Sequence, residues 1–212
     1  MPLEIETFPG GPVQTNAYLV ADTETGDALV IDAPYETTAA IVAAAAARGW
    51  RIGQIVITHT HWDHVADALA LTEATGAPLL AHPLAVDKLA DPQPGIFDLP
   101  VPVPPVGVNS TLDDVATVTL GGETFRVMHL PGHDPAHIAL YGDKDRVLLG
   151  GDVLFPGGHG RTDLPGTDQS VMNASLRRLV AELPAETTVL PGHGAPTTVG
   201  REAPWIHLLQ DG

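Results

Sequence analysis

Short apolar runs alternate with turns rich in Gly and Pro along the first half of this 212-residue chain. Apolar runs bounded by such turns predict β-strands, here at 3–8, 16–22, 27–34, 52–59 and 78–83. The runs within 27–34 and 52–59 are almost continuously apolar, which is typical of strands buried on both faces. Two stretches of strong helix formers that end in glycine predict helices at 36–49 and 63–76.

The second half of the chain is richer in strand patterns than the first. Apolar runs predict strands at 115–120, 123–130, 137–142, 146–153 and 187–194. A Gly-rich loop over 155–168 leads into a predicted helix at 169–183, and residues 203–209 predict a short last helix. Helices are too few for a regular alternation of strand and helix. The pattern therefore predicts an α/β fold in which two sheets pack together with helices outside them.

Residues 91–111 interrupt this pattern with six prolines. Proline excludes a helix interior and disfavours a central strand, because it lacks the backbone N–H. Two interpretations stay open for this segment: a crossing over the surface, or a rim or lid of a functional site. No low-complexity linker or short-period repeat divides the chain, so we expect a single domain over 1–212.

Composition and charge narrow the classes of partner. The chain is 44% hydrophobic, which is ample for a buried core, and its formal net charge is −16. That charge argues against nucleic acid and anionic membranes, both of which require basic patches.

There is no cysteine, which excludes disulfides, thiolate ligands and a cysteine nucleophile. No apolar run approaches a membrane span and the N-terminus does not resemble a signal peptide, so a cytoplasmic location is expected. Oligomeric state stays open.

The stretch "VITHTHWDH" concentrates candidate metal ligands directly after a predicted strand. His59 and His61 lie two residues apart, so in an extended segment their side chains project to the same side. Asp63 and His64 follow at the point where the next helix should begin. Imidazole and carboxylate groups together suit zinc, iron or manganese. The stretch therefore predicts one half of a metal site.

Three later segments each place one further candidate ligand after an apolar strand and a glycine. These segments are "LPGH" with His133, "LLGGD" with Asp152 and "PGHG" with His193. Each residue alone is typical of a turn, but sheets of α/β folds gather their ligands at strand ends. With the first stretch they make seven candidate ligands, which are enough for a dinuclear site.

In this order, "HTHWDH", "LPGH", "GDVLF" and "PGHG" resemble the motifs of the metallo-β-lactamase superfamily, and they span most of the chain. The resemblance implies an αββα sandwich of two mixed sheets flanked by helices, with the metal site at one edge. It also implies how the ligands divide. The first ion would take His59, His61 and His133, the second would take Asp63, His64 and His193, and Asp152 would bridge them.

The loop "GGHGRTDLPGTD" is similar to that of the short glyoxalase II-like, or hydroxyacylglutathione hydrolase-like, proteins. This resemblance implies hydrolysis of a small-molecule thioester, such as an S-2-hydroxyacylglutathione, by a hydroxide that bridges two divalent ions. Zinc is the first expectation, with iron or manganese as alternatives. Asp63 and Asp152 are the expected catalytic carboxylates, because they would position the nucleophile. Arg161 is the expected contact for a substrate carboxylate, unless it pairs with Asp163 or Asp168.

The chain departs from that subgroup at several positions. The residues after His193 are too few for the helical domain that supplies glutathione contacts in the two-domain enzymes. Aromatic positions of those enzymes are Asp163 and Leu190 here, and Asp134 stands where the family usually has Thr. The thiol of the substrate is therefore left open.

Two other activities on the same fold stay open. One is a lactonase or β-lactamase-type hydrolase, which would use the same hydroxide on a different acyl bond. The other is a persulfide dioxygenase with one iron, which would use only His59, His133 and Asp152.

Three residues outside the ligand set are candidates for supporting roles. Asp32, at the end of the run 27–34, is either a turn residue or a group that orients a metal ligand. His137 and His159 lie near the ligands in sequence and are either ordinary histidines or partners of the ligands.

Overall fold

Two six-stranded sheets lie face to face between outer helices in the computed structural model, which describes residues 3–92 and 99–209. The first sheet contains, in spatial order, β1 (Leu3–Gly10), β2 (Thr15–Asp22), β3 (Asp27–Ile31), β4 (Arg51–Val56), β5 (Leu79–Ala81) and β6 (Ser110–Thr111). The second contains, in reverse order, β7 (Thr117–Leu120), β8 (Glu123–His129), β9 (Ile138–Gly142), β10 (Val147–Gly151), β11 (Thr188–Pro191) and β12 (Thr197–Thr198).

Both sheets are mixed. In the first sheet β1, β2 and β3 pair antiparallel, whereas β3 to β6 pair parallel. In the second sheet only β10 and β11 are parallel. The helices are α1 (Thr38–Arg48), α2 (Trp62–Val65), α3 (Ala68–Thr75), α4 (Val86–Ala90), α5 (Gln169–Glu182) and α6 (Val199–Ile206). Within the described ranges, no helix has the length and apolar character needed to cross a membrane. The predicted fold class, two mixed sheets flanked by helices, is confirmed.

Three apolar layers hold the sandwich together. The central layer joins the facing sides of the two sheets and includes Ile31, Phe125 and Leu149. An outer layer packs α1 and α3 onto the first sheet, and a second outer layer packs α5 and α6 onto the second sheet. The strands β3 and β10 face two layers each, which explains their almost continuous apolar runs.

The predicted helix over 63–76 is wrong as a single element, because it is two short helices, α2 and α3. The break lies at Asp67, whose backbone N–H donates to Ala33 O at 2.8 Å. The Asp67 carboxylate accepts hydrogen bonds from the backbone N–H groups of Thr37 and Thr38, each at 3.0 Å, at the start of α1. The Asp67 side chain therefore caps α1, and the predicted helix over 63–76 is interrupted at this residue.

Most of the Pro-rich segment that the structure describes is exposed or half-buried, and a few apolar side chains anchor it to the fold. Val106 is buried in the layer under the first sheet, and Val103 and Val108 pack against the same layer. The Val106 N–H donates to Leu89 O at 2.8 Å, and the segment ends in the edge strand β6. The part of the segment at 93–98 lies outside the described residues.

The last helix begins earlier than predicted. It runs over Val199–Ile206 rather than 203–209, because the Thr198 side chain accepts a hydrogen bond from Arg201 N at 3.2 Å and caps the helix there. Thr198 also belongs to β12, a two-residue strand that apolar periodicity did not indicate.

Asp67→Ala should destabilise the protein by about 1–2 kcal/mol, because α1 loses the carboxylate that caps its first turn. Urea unfolding of the purified variant measures the change in the free energy of unfolding. Glu73→Ala on α3 is the matched control, since Glu73 is exposed, and it should stay within about 0.5 kcal/mol. Equal stability of the two variants would contradict the capping role.

Candidate metal centre

The seven predicted ligands come from five places in the fold, all just beyond strand ends. His59 and His61 follow β4, and Asp63 and His64 lie in α2, which comes next. The remaining three come from the second sheet: His133 follows β8, Asp152 follows β10 and His193 follows β11. The structure brings all seven side chains together, although they span more than half of the sequence.

The candidate ligands form three overlapping groups of three, and two of these groups share no residue. The first contains His59, His61 and His133, and the second contains Asp63, His64 and His193. Within each group the donor atoms lie within 4.8 Å of one another. These two groups are the sets that the sequence motifs imply for two ions, and the third group, His59, His64 and Asp152, joins them.

Asp152 lies between the two groups. Its Oδ1 atom is 3.3 Å from His64 Nε2, and its Oδ2 atom is 3.3 Å from His133 Nε2. Its Oδ2 atom also lies 3.5 Å from His193 Nε2, so the carboxylate contacts both groups. A carboxylate in this position suits a bridge between two cations.

The chemistry of the buried atoms fits a metal. Four of them have no hydrogen-bond partner, namely Nε2 of His59, His64 and His133, and Oδ1 of Asp152. Buried polar atoms without partners are costly, so such a concentration needs a compensating group. Neutral imidazole nitrogens and carboxylate oxygens are ligands for divalent cations, which would supply that compensation.

The opposite nitrogen of each of these rings is held by the protein. His64 Nδ1 lies 2.7 Å from the Asp32 carboxylate, and His133 Nδ1 lies 2.8 Å from Arg161 O. Both partners are acceptors, so each Nδ1 carries a proton and each Nε2 faces the cluster, where it can present a lone pair once it is unprotonated. The interpretation of Asp32 as an orienting group is confirmed for the His64 ring.

Asp32 also reaches the first group through Thr58. The Asp32 carboxylate accepts from the Thr58 backbone N–H and from the Thr58 hydroxyl, each at 2.8 Å. Because the hydroxyl donates to Asp32, it can accept a hydrogen bond from His59 Nδ1, which lies at 3.0 Å. Asp32 is 1% exposed, and its backbone φ of +60° turns the chain at the end of β3.

The start of β2 holds the second group in place. Thr15 Oγ1 donates to Asp63 Oδ2 at 2.6 Å. Asp63 Oδ2 also lies 3.2 Å from His193 Nε2. Asn16 N–H donates to Gly192 O at 2.7 Å, and Tyr18 OH donates to Pro191 O at 2.6 Å. Hydrogen bonds from the first sheet thus hold the loop that carries His193, which follows a strand of the second sheet. Sequence patterns gave no signal for these residues, since they lie far from the ligand motifs.

His137 supports Asp152 directly. Its Nε2 atom accepts from the Asp152 backbone N–H at 3.0 Å, and the ring is fully buried. Burial and the neighbouring imidazole of His133 lower the pKa of His137 to about 3, so the ring is a neutral acceptor. The interpretation of His137 as a supporting residue is confirmed. His159 instead lies 2.7 Å from Gly160 O through its Nδ1 atom.

In the first group, burial is the main influence on charge. Burial, with the nearby histidine rings, holds the pKa of His59 well below its usual range. Burial, with the His133 ring, lowers the pKa of His61 to about 4 despite the adjacent Asp134. Both rings are therefore neutral near pH 7, as metal ligation requires.

In the second group the carboxylates outweigh burial. Burial opposes a charge on His64, but Asp152, Asp63 and Asp32 raise its pKa well above the usual value. Burial likewise opposes a charge on His193, but its hydrogen bond to Asp63 and the charge of Asp152 raise its pKa. Burial would raise the pKa of Asp63, but His64 and the hydrogen bonds from His193 and Thr15 lower it below the usual value. The group is therefore strongly polar before any cation is considered.

Arg161 reaches the centre with its backbone rather than its side chain. Its carbonyl accepts from His133, as described, while its guanidinium pairs with Asp163 at 2.7 and 2.9 Å. Both side chains are well exposed. The alternative of a pair with Asp163 is therefore observed, and the role in binding substrate stays a prediction.

Two glycines allow the backbone to approach the cluster. A Cβ atom at Gly192 would lie 2.1 Å from Asp152 Oδ1 and 2.6 Å from His64 Cε1. A Cβ atom at Gly160 would lie 2.7 Å from the His133 ring. A side chain at Gly192 would enter the space that the ligands share, whereas one at Gly160 would press on the His133 ring from its Nδ1 side.

Comparison with known proteins agrees with this geometry. The model of the metallo-beta-lactamase superfamily matches residues 10–193. The chain is 36% identical to an uncharacterized protein of Aquifex aeolicus, with 93% of each chain covered. It is 37% identical to a hydroxyacylglutathione hydrolase of Cereibacter sphaeroides, over 91% of this chain and 67% of that protein. It is 30% identical to hydroxyacylglutathione hydrolase GloC of Haemophilus influenzae, over 94% and 95%.

Three solved structures are similar over most of their length. BLEG-1 B3 metallo-beta-lactamase matches with a TM-score of 0.86 and 31% identity, over 95% of this chain and 97% of that one. A di-iron-bound form of TTHA1623 matches with a TM-score of 0.79 and 38% identity, over 93% and 96%. ETHE1 from Myxococcus xanthus matches with a TM-score of 0.80 and 25% identity, over 98% and 86%.

Gly192→Ala should weaken metal binding at least about tenfold, because the added methyl group collides with Asp152 and His64. Elemental analysis after dialysis against metal-free buffer measures the metal that is retained, and circular dichroism checks the fold. Gly158→Ala is the matched control, since a Cβ atom there meets open space. Retention of the wild-type metal content by Gly192→Ala would contradict the placement of the metal centre.

Proposed function

The chain belongs to the metallo-β-lactamase superfamily, and we propose that it is a metal-dependent thioester hydrolase of the glyoxalase II type. Its substrate would be an S-2-hydroxyacylglutathione or a related small acyl-thiol. The observation that carries this proposal is the pair of ligand groups that share Asp152. The relatives named hydroxyacylglutathione hydrolase support the class of reaction.

Two divalent ions fit the donor set. His59, His61 and His133 would hold one, Asp63, His64 and His193 would hold the other, and Asp152 would contact both. When bound, such ions lower the pKa of a coordinated water and polarise a carbonyl oxygen. We propose zinc, with iron or manganese as alternatives; TTHA1623 has been solved with two irons.

The two carboxylates would orient the attacking water. Asp152 lies between the ligand groups, and its backbone is fixed by the hydrogen bond to His137. Asp63 is fixed by Thr15, and both its pKa and that of Asp152 are lowered by the surrounding histidines, although burial opposes this. Both are therefore ionised acceptors at neutral pH and can hold the water oxygen toward the acyl carbon.

The leaving group makes few demands on the protein. A thiol has a pKa of about 8.5, so it leaves as a thiolate without a strong acid beside it. The acyl-thiol would approach across the loop that carries Arg161. A substrate carboxylate there would compete with Asp163 for the guanidinium.

Two other activities remain as candidates. A persulfide dioxygenase with one iron would use His59, His133 and Asp152, and the 3.3 Å separation of His133 Nε2 from Asp152 Oδ2 is compatible with it. The ordered second group, with Asp63 held by Thr15, favours two ions instead. A lactonase or β-lactamase-type hydrolase would use the same centre, and the similarity to BLEG-1 supports that reading of the fold.

The deciding experiment joins metal content with thiol release from S-D-lactoylglutathione in one purified sample. We expect about two metal ions per chain and turnover that is lost on treatment with a chelator and recovered with zinc. One iron per chain, no thiol release and oxygen consumption with a persulfide would overturn the proposal. Turnover of a lactone or β-lactam alone would assign the other hydrolase activity.

Removing the charge of Asp163 should improve the use of a carboxylate-bearing thioester. Asp163→Asn should lower KM for S-D-lactoylglutathione about two- to fivefold, because Arg161 becomes free to pair with the substrate. Arg161→Ala should raise KM more than it lowers kcat. Steady-state kinetics measure both values.

The double variant supplies the control for that comparison. Asp163→Asn should have no effect when Arg161 is already Ala, and no effect on a thioester of an uncharged thiol. An unchanged KM in Arg161→Ala would remove this arginine from the binding site.

A further inference from the structure

A buried carboxylate that belongs to neither ligand group lies beside the first group. Asp134 directly follows His133 and is 1% exposed. Its side chain contacts the loop that follows β4. Buried carboxylates are rare unless they are paired and hydrogen-bonded, so Asp134 should have partners that offset the cost of burying it.

The contacts of Asp134 join the two loops that carry the first ligand group. Its Oδ2 atom accepts from the backbone N–H of Thr60 at 3.3 Å and from the Thr60 hydroxyl in a short hydrogen bond. Thr60 lies between His59 and His61, so the bond ties their loop to the loop of His133. Across this tie the rings of His61 and His133 lie 4.3 Å apart, centre to centre.

The other side of the carboxylate is also anchored. Asp134 Oδ1 accepts from the backbone N–H of Ala136 at 2.6 Å, within its own loop. Lys88, on α4, places its Nζ atom 3.5 Å from Asp134 Oδ2 and 3.3 Å from Thr60 Oγ1. The lysine thus balances the buried charge and contacts both members of the tie.

We propose that Asp134 is a positioning residue for the metal centre: with Thr60 and Lys88 it fixes the spacing between His61 and His133. The loops that it joins come from different sheets, β4 of the first and β8 of the second. Without the tie, each loop could move independently, and three separate imidazole rings would have to be ordered when the ion binds. Asp134 therefore acts more strongly on the first ligand group, both of whose loops it contacts, than on the second.

The test measures metal binding by the whole chain in the absence of substrate. Metal-free protein is titrated with Zn²⁺ in competition with a chromophoric chelator, which gives an affinity for each of two ions. His61→Ala identifies the step that belongs to the first group, and His193→Ala identifies the step that belongs to the second. The inference rests on the two-ion centre of the proposed function but not on the thioester, so a failure of thiol release leaves it standing.

Asp134→Ala should weaken Zn²⁺ binding at the first ligand group, the step identified by His61→Ala, about 10- to 100-fold. Zn²⁺ affinity at the second group should stay within about threefold. Thr60→Val keeps the side-chain size and removes the hydroxyl, so it should weaken the same step even if Asp134→Ala does not fold. Lys88→Met should weaken that step by a smaller factor, because Lys88 reaches the carboxylate from the exposed side.

Asp22→Ala is the matched control for general destabilisation. Asp22 is also buried, and it accepts from the backbone N–H groups of Glu24 and Gly122 at the end of β2 far from the centre. It should lower the Tm of the metal-free protein without changing either affinity. Equal weakening of both steps by Asp134→Ala, or wild-type affinity in Asp134→Ala and Thr60→Val, would overturn the proposal.

Discussion

The buried carboxylate of Asp32 is the interaction on which the metal centre depends most. It accepts hydrogen bonds from Thr58 and from the His64 ring, and through the Thr58 hydroxyl it also reaches the His59 ring. One side chain therefore orients a ligand of each group. Because Asp32 follows β3 and Thr58 follows β4, the parallel pairing of these strands sets the position of both partners. The sheet, rather than the loops alone, thus determines where the lone pairs of the rings point.

Much of the fold and of the ligand set could be predicted, because the signals are local. Apolar runs bounded by Gly and Pro indicate strands wherever a strand is buried on both faces, as with β3 and β10. The alternation of an extended segment brings His59 and His61 to one side whatever the tertiary structure is. The glycines before Asp152 and His193 mark the strand ends at which sheets of this class gather their polar residues.

The remainder depends on contacts between distant segments, which a linear pattern does not record. Asp67 has good helix formers after it, but its partners are the first N–H groups of α1, thirty residues earlier. Thr15 lies 48 residues before Asp63 and looks like an ordinary turn residue in sequence. The pairing of Arg161 with Asp163, two residues away, was foreseen as an alternative, since it is local. Contacts between residues close in sequence could therefore be predicted, whereas contacts between distant residues could not, however important they are for the site.

The hydrogen bonds between β2 and the loop of His193 have a consequence for how the protein acquires its metal. Thr15, Asn16 and Tyr18 belong to one end of the chain, whereas Pro191 and Gly192 belong to the other. Contacts of such long sequence separation form late in folding, because a large loop must close first. The second ligand group is therefore completed only when segments from distant parts of the chain have met. A nascent chain that lacks His193 would hold an incomplete ligand set, so we expect metal binding by the full set to follow synthesis of the domain rather than accompany it.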